Sequence, residues 1–69
     1  MDNSSMGQQK TFADNVKKLR VAEQLTQRDL ASLAGVYQED VRRIEHEIPL
    51  PLENKLKILK ILYAKKLLH

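Results

Sequence analysis

Apolar residues recur along most of this chain at the three- and four-residue spacing of an α-helix. Phe12, Val16, Leu19 and Ala22 make a first stripe, with Lys17, Lys18 and Arg20 off it. Leu30, Ala31 and Ala34 make a second, and Val41 and Ile44, with Ile48 at the same spacing, a third. Leu52, Leu56, Leu59 and Tyr63 make a fourth, which Ile58, Ile61 and Leu62 widen while Lys55, Lys57 and Lys60 fill the opposite face. Residues that start and stop helices separate these stripes. Thr11 with Asp14, and Thr26 with Asp29, each place a hydroxyl three residues before an acid, the reciprocal capping pattern with a shorter acidic arm. Gly35 stops the second helix, because glycine takes a left-handed conformation without side-chain penalty. Pro49 and Pro51 interrupt the third segment. Pro51 suits the first turn of the fourth helix, where Glu53 also meets the positive end of the dipole. The pattern predicts helices from Thr11 to near Glu23 or Gln24, after Thr26 for about nine residues, from about Gln38 to Glu45 or His46, and from Pro51 onward. Residues 64–69 either extend that last helix or fold back as a fifth. Residues 1–10 are polar and aperiodic and read as a flexible tail, which leaves 11–69 as the domain.

Composition narrows this to an all-α fold, a compact bundle of four to five helices, since leucine, lysine and glutamate are common and glycine and proline few. A chain of 69 residues with no cysteine has a marginal core and no disulfide or thiolate metal site to support it. Ile58, Ile61, Leu62, Leu67 and Leu68 are more apolar side chains than one small domain needs, so some are expected at the interface of a homodimer. His46 and His69 are lone histidines, so neither a metal nor a cofactor is expected. No nucleophile lies near a base, no glycine loop cradles phosphate and no carboxylates cluster, which argues against an enzyme. No apolar run has the length of a signal peptide or a membrane span, which makes a cytoplasmic protein the default. The net charge of +3 permits a polyanionic partner without demanding one. Only Phe12, Tyr37 and Tyr63 are aromatic, too few for a platform that stacks single-stranded bases.

Two short helices joined by a three- or four-residue turn containing glycine describe the helix-turn-helix that reads DNA. Ala31 is small where such helices cross, Gly35 opens the turn, Val36 plugs the corner, and Val41 and Ile44 hold the third helix inward. Its free face then carries Gln38, Glu39, Arg42 and Arg43. The run Leu25-Thr26-Gln27-Arg28-Asp29-Leu30-Ala31, with Ala34-Gly35-Val36 and Val41-Arg42-Arg43-Ile44-Glu45, resembles the phage repressor and Cro-like helix-turn-helix family, the xenobiotic-response-element type. The likeness extends back to Leu19-Arg20 and forward to the helix from Leu56 to Leu62. It implies a lambda-repressor-like bundle with a central helix-turn-helix, and a repressor-like transcriptional regulator bound to double-stranded DNA. By position it implies that Gln38, Glu39, Arg42 and Arg43 read bases, and that Gln27, Arg28, Lys17, Lys18 and Tyr37 meet the DNA backbone. It also implies a structural ion pair between Arg20 and Glu45. The stretch from Pro49 to Lys60 is similar to the antitoxin branch of the family, for which a toxin or other protein is a further partner.

The sequence departs from that pattern at three places. Tyr37 stands where the family prefers Ser or Thr as a cap, and a phenol does not cap in that way. Gln24 stands where glycine often ends the first helix. Glu39 and Asp40 bring two acids to the first turn of the expected reading helix, where they suit the dipole but repel phosphates. Glu39 either accepts a hydrogen bond from cytosine or only stabilises the helix. With Glu47, these acids also leave open a different class, a helical protein-interaction module that meets a basic partner.

Overall fold

A computed structural model of the chain describes residues 11–67. The expected tail over residues 1–10, the side chain of Leu67, and Leu68 lie outside what is described. Four helices follow one another: α1 Thr11–Ala22, α2 Gln27–Ala34, α3 Gln38–Glu45 and α4 Leu52–Leu67, and no strand occurs among the described residues. The last helix continues through Leu67 instead of folding back. Helix α2 begins at the reciprocal cap expected there: the Asp29 N–H donates to Thr26 Oγ1 at 2.9 Å, and the Thr26 N–H donates to Asp29 Oδ2 at 3.0 Å. Pro51 sits one position earlier than expected. Its carbonyl accepts the first helical bond, from the Lys55 N–H at 3.0 Å, so it precedes α4 instead of opening it.

The first three helices end in the same way. After α1, Leu25 N–H donates to Arg20 O and Gln24 N–H to Val21 O. After α2, Val36 N–H donates to Ala31 O and Gly35 N–H to Ser32 O. After α3, Ile48 N–H donates to Arg43 O. The residue at the bend is left-handed each time, with φ of 61° at Gln24, 73° at Gly35 and 60° at Glu47. This hydrogen-bonded stop satisfies carbonyls the helix would otherwise leave open. Only one of the three bends uses glycine, so Gln24 and Glu47 carry the steric cost of a Cβ in that conformation.

The core is aliphatic. Ala13 and Val16 of α1, Leu30 and Ala31 of α2, Val41 and Ile44 of α3, and Ile58 and Leu62 of α4 are buried. Leu19, Leu25, Val36, Leu50, Leu59 and Ile61 pack around them. Helices α2 and α3 lie closest together, with α4 packed across both. Two expectations about α4 are overturned here. Ile58 and Leu62 are fully buried in the chain's own core, so these two are not a dimer surface, while Ile61 packs against that core and stays partly exposed. Conversely, Leu52, Leu56 and Tyr63, read as the inward stripe, are exposed, with Leu52 67% accessible. Helix α4 carries apolar residues on more than one side, interleaved with lysines, so periodicity alone does not choose its inner face. The first helix shows a smaller shift of the same kind: Ala13 and Val16 point inward while Phe12 lies on the rim, its ring 4.8 Å from Lys55 Nζ. Among the described residues, no helix is long and apolar enough to cross a membrane.

Candidate nucleic-acid interface

Three residues, Gly35 to Tyr37, link α2 to α3. The left-handed Gly35 turns the chain sharply, Val36 packs on the core from the corner, and Tyr37 projects into solvent, 80% exposed. The Tyr37 phenol makes no cap bond, as its chemistry requires. Asp40 supplies the returning half of the cap instead: the Tyr37 N–H donates to Asp40 Oδ2 at 3.2 Å. The same oxygen accepts from Asn54 Nδ2 of α4, also at 3.2 Å. Asp40 is therefore a buried residue, 3% exposed, that ties the start of α3 to α4. This corrects the expectation that Asp40 would face and repel phosphates alongside Glu39.

The far end of α3 is tied to α1. Arg20 Nε donates to Glu45 Oε2 at 2.6 Å and Arg20 Nη2 to Glu45 Oε1 at 3.1 Å, a two-pronged pair. Arg20 Nη1 reaches the Leu25 carbonyl at 2.8 Å. The pair is sheltered, with 11% of the arginine side chain and 3% of the glutamate exposed. Gln27 joins it, its Nε2 donating to Glu45 Oε1 at 3.2 Å. That contact gives the Gln27 side chain a bracing role and uses one N–H of its amide. Arg28 beside Gln27 at the start of α2 is exposed.

Between these two anchors, Val41 and Ile44 face the core and Gln38, Glu39, Arg42 and Arg43 share the opposite face of α3. The four expected base-readers thus lie together. Their charges are linked: Glu39 Oε1 accepts from Arg42 Nε at 3.0 Å and Oε2 from Arg42 Nη2 at 2.5 Å, with Arg43 Nε 3.6 Å from Oε2. The hydrogen bond to Arg42 holds the Glu39 carboxyl below the usual glutamate range, and the same bond raises Arg42. Arg43 Nη1 also lies 3.8 Å from Asp40 Oδ1. Comparison with models of known protein families, with curated proteins and with solved structures gives no match.

The two lysines of α1 separate. Lys17 is exposed and lies about 60° around the helix from Arg20, on the side that meets α3. Lys18 lies almost opposite Arg20 and borders a groove with Asn15, Leu19, Ala22 and Tyr63. Lys18 is exposed on a different side of α1 from Lys17. Sequence reasoning missed Asp40 and Asn54 as positioning residues. The signal for Asp40 was its place three residues after Tyr37, the acid position of a reciprocal cap, whereas nothing in the pattern marked Asn54.

Proposed function

We propose that this chain is a sequence-specific double-stranded DNA-binding domain, non-enzymatic and repressor-like, whose α2–turn–α3 unit is a helix-turn-helix with α3 in the major groove. The observation that carries the reading is the mounting of α3. Its two ends are fastened by charged, sheltered contacts to α4 and α1, its middle is held by Val41 and Ile44, and a face of two guanidinium groups, an amide and a carboxylate is left open. A helix of eight residues held this way is rigid enough to present side chains in register with base edges, and Gln and Arg are the residues whose forks match adenine and guanine. Lys17, Arg28 and Tyr37 supply backbone contacts in this reading, so affinity falls steeply with salt. The resemblance to phage repressor and Cro-like regulators supports it, and the antitoxin branch remains part of the proposal.

The regulator acts as a homodimer on two half-sites about one helical turn apart. Since Ile58 and Leu62 are core, a second copy is assigned to the exposed stripe of Leu52, Leu56 and Tyr63. The protein-interaction alternative needed a negative patch of Glu39, Asp40 and Glu47. That patch is not assembled: Asp40 is buried, Glu39 is paired with arginine, and Glu47 follows the opposite end of α3. Selection from a random duplex library at physiological salt tests the proposal. Enrichment of a palindromic site supports it, and failure to enrich any sequence overturns it.

A further inference from the structure

The open face of α3 holds its positive charge in an unusual state for a surface that meets phosphates. Arg42 offers Glu39 the Nε–Nη2 edge of its guanidinium, an edge that can also fork onto guanine O6 and N7. Arg43 leans toward the same carboxylate from the next turn. The three side chains are 40–47% exposed, so the cluster is open to a ligand. A phosphate brings only acceptors to this cluster. Drawing the Nε–Nη2 edge of Arg42 onto a phosphate leaves the Glu39 carboxylate with Arg43 alone, at 3.6 Å, and beside a second anion. A G·C pair differs, because its major-groove edge carries the guanine acceptors O6 and N7 together with the cytosine N4–H donor. One such pair can therefore replace both halves of the Glu39–Arg42 contact, giving acceptors to the arginine and a donor to the carboxylate. Thymine offers no donor in that groove, and adenine offers one beside a single acceptor.

We propose that Glu39, acting with Arg42, determines specificity on this face: it selects a cytosine amino group within a G·C pair and suppresses binding to DNA at large. The inference rests on α3 being the DNA-reading helix, and its test separates the two. Duplex selection is run on the wild-type chain, Glu39→Gln and Arg42→Gln, and each is titrated with salt against random duplex. Both substitutions lie on an exposed helix face, and circular dichroism confirms that the variants fold. The wild type is expected to enrich a site with a fixed C·G pair in each half. Glu39→Gln loses the cytosine preference at that position by roughly tenfold, the effect of one good base contact. The same variant binds random duplex more tightly, with a salt slope steeper by about one, because Arg42 is released to phosphates. Arg42→Gln loses the guanine preference at the same pair. A wild type that selects a site, with Glu39→Gln selecting the same bases and binding random duplex no better, overturns the role of Glu39 alone. A wild type that selects nothing overturns the DNA reading and this inference together.

Discussion

Replacing Glu45 with alanine tests how α3 is held. The substitution takes from Arg20 the acceptors of Nε and Nη2, and from Gln27 the acceptor of Nε2, leaving Arg20 with the Leu25 carbonyl alone. Removing one member of a buried ion pair costs about 3–5 kcal/mol, because the remaining charge stays desolvated without a partner. Arg20 retains some water access, which places Glu45→Ala near 3 kcal/mol. Glu45→Gln keeps an acceptor but loses charge assistance, and its expected cost is about 1–2 kcal/mol. A domain of this size is stable by only about 3–10 kcal/mol, so Glu45→Ala removes a large share. The double change Arg20→Met with Glu45→Met deletes both charges, and it should cost about 1 kcal/mol or less, well under the sum of the single changes. Urea denaturation followed by helical circular dichroism, with the slope unchanged between variants, gives all four corners of the cycle once Arg20→Met and Glu45→Met are each measured alone. A loss under about 1 kcal/mol for Glu45→Ala would place the pair among weak surface salt bridges, and the account of α3 as a braced helix would fail.

Leu62→Ala should destabilise the fold by about 3 kcal/mol or more, whereas Leu56→Ala should stay within about 0.5 kcal/mol in dilute protein; equal costs in urea titrations would mean that α4 is rotated from the face described. Gln24→Gly should raise stability by about 0.5–1 kcal/mol and Gly35→Ala lower it by a similar amount, since left-handed strain of about 1–2 kcal/mol exceeds the unfolded-state entropy of glycine; thermal melts with the same sign for both would contradict this. The Asp29 carboxyl is lowered below its ordinary value, first by the Thr26 backbone N–H and then by the Thr26 hydroxyl, against a smaller opposing effect of desolvation, and helped by Arg28. A carboxylate with a lowered folded-state pKa contributes stability above its unfolded value and loses it as pH falls through the folded value. Asp29→Asn should therefore flatten the acid limb of the stability profile below about pH 4 and leave the neutral region parallel to wild type; an unchanged acid limb would show that the cap is not formed in solution.

The sequence made the helices legible because their ends are chemical. Thr26 with Asp29 starts α2, Gly35 stops it, and the alternation of Val41 and Ile44 with polar neighbours orients α3 without reference to the rest of the fold. Helix α4 was not legible in this way. It carries leucine on opposite sides, and its inner face is marked by a polar residue, Asn54, whose amide reaches Asp40. Hydrophobic periodicity assigns a polar residue to the solvent side, so it chose the stripe of Leu52, Leu56 and Tyr63 that the fold leaves exposed. The pairing of Asp40 with Asn54 spans 14 positions and two helices, which no local pattern encodes.

Charge on α3 teaches the same lesson more sharply. Counted along the sequence, Glu39, Asp40 and Glu45 outweigh Arg42 and Arg43, and the helix reads as a poor ligand for a polyanion. In the fold the three acids have three separate roles. Asp40 turns inward to fasten the start of the helix to α4, and Glu45 turns inward to fasten its end to α1. Glu39 alone faces solvent, with Arg42 and Arg43, and that face carries a net positive charge of one. The two inward acids are also what fix the outward residues in place, so the negative charge that argued against a DNA-reading helix is mostly the means of mounting it. What remains exposed is one carboxylate shared by two arginines, a surplus of a single positive charge. In the proposed DNA-reading role, such a face gains less from phosphate than two unpaired arginines would and depends on donors and acceptors that match it, which favours discrimination between sequences over strong binding to all of them.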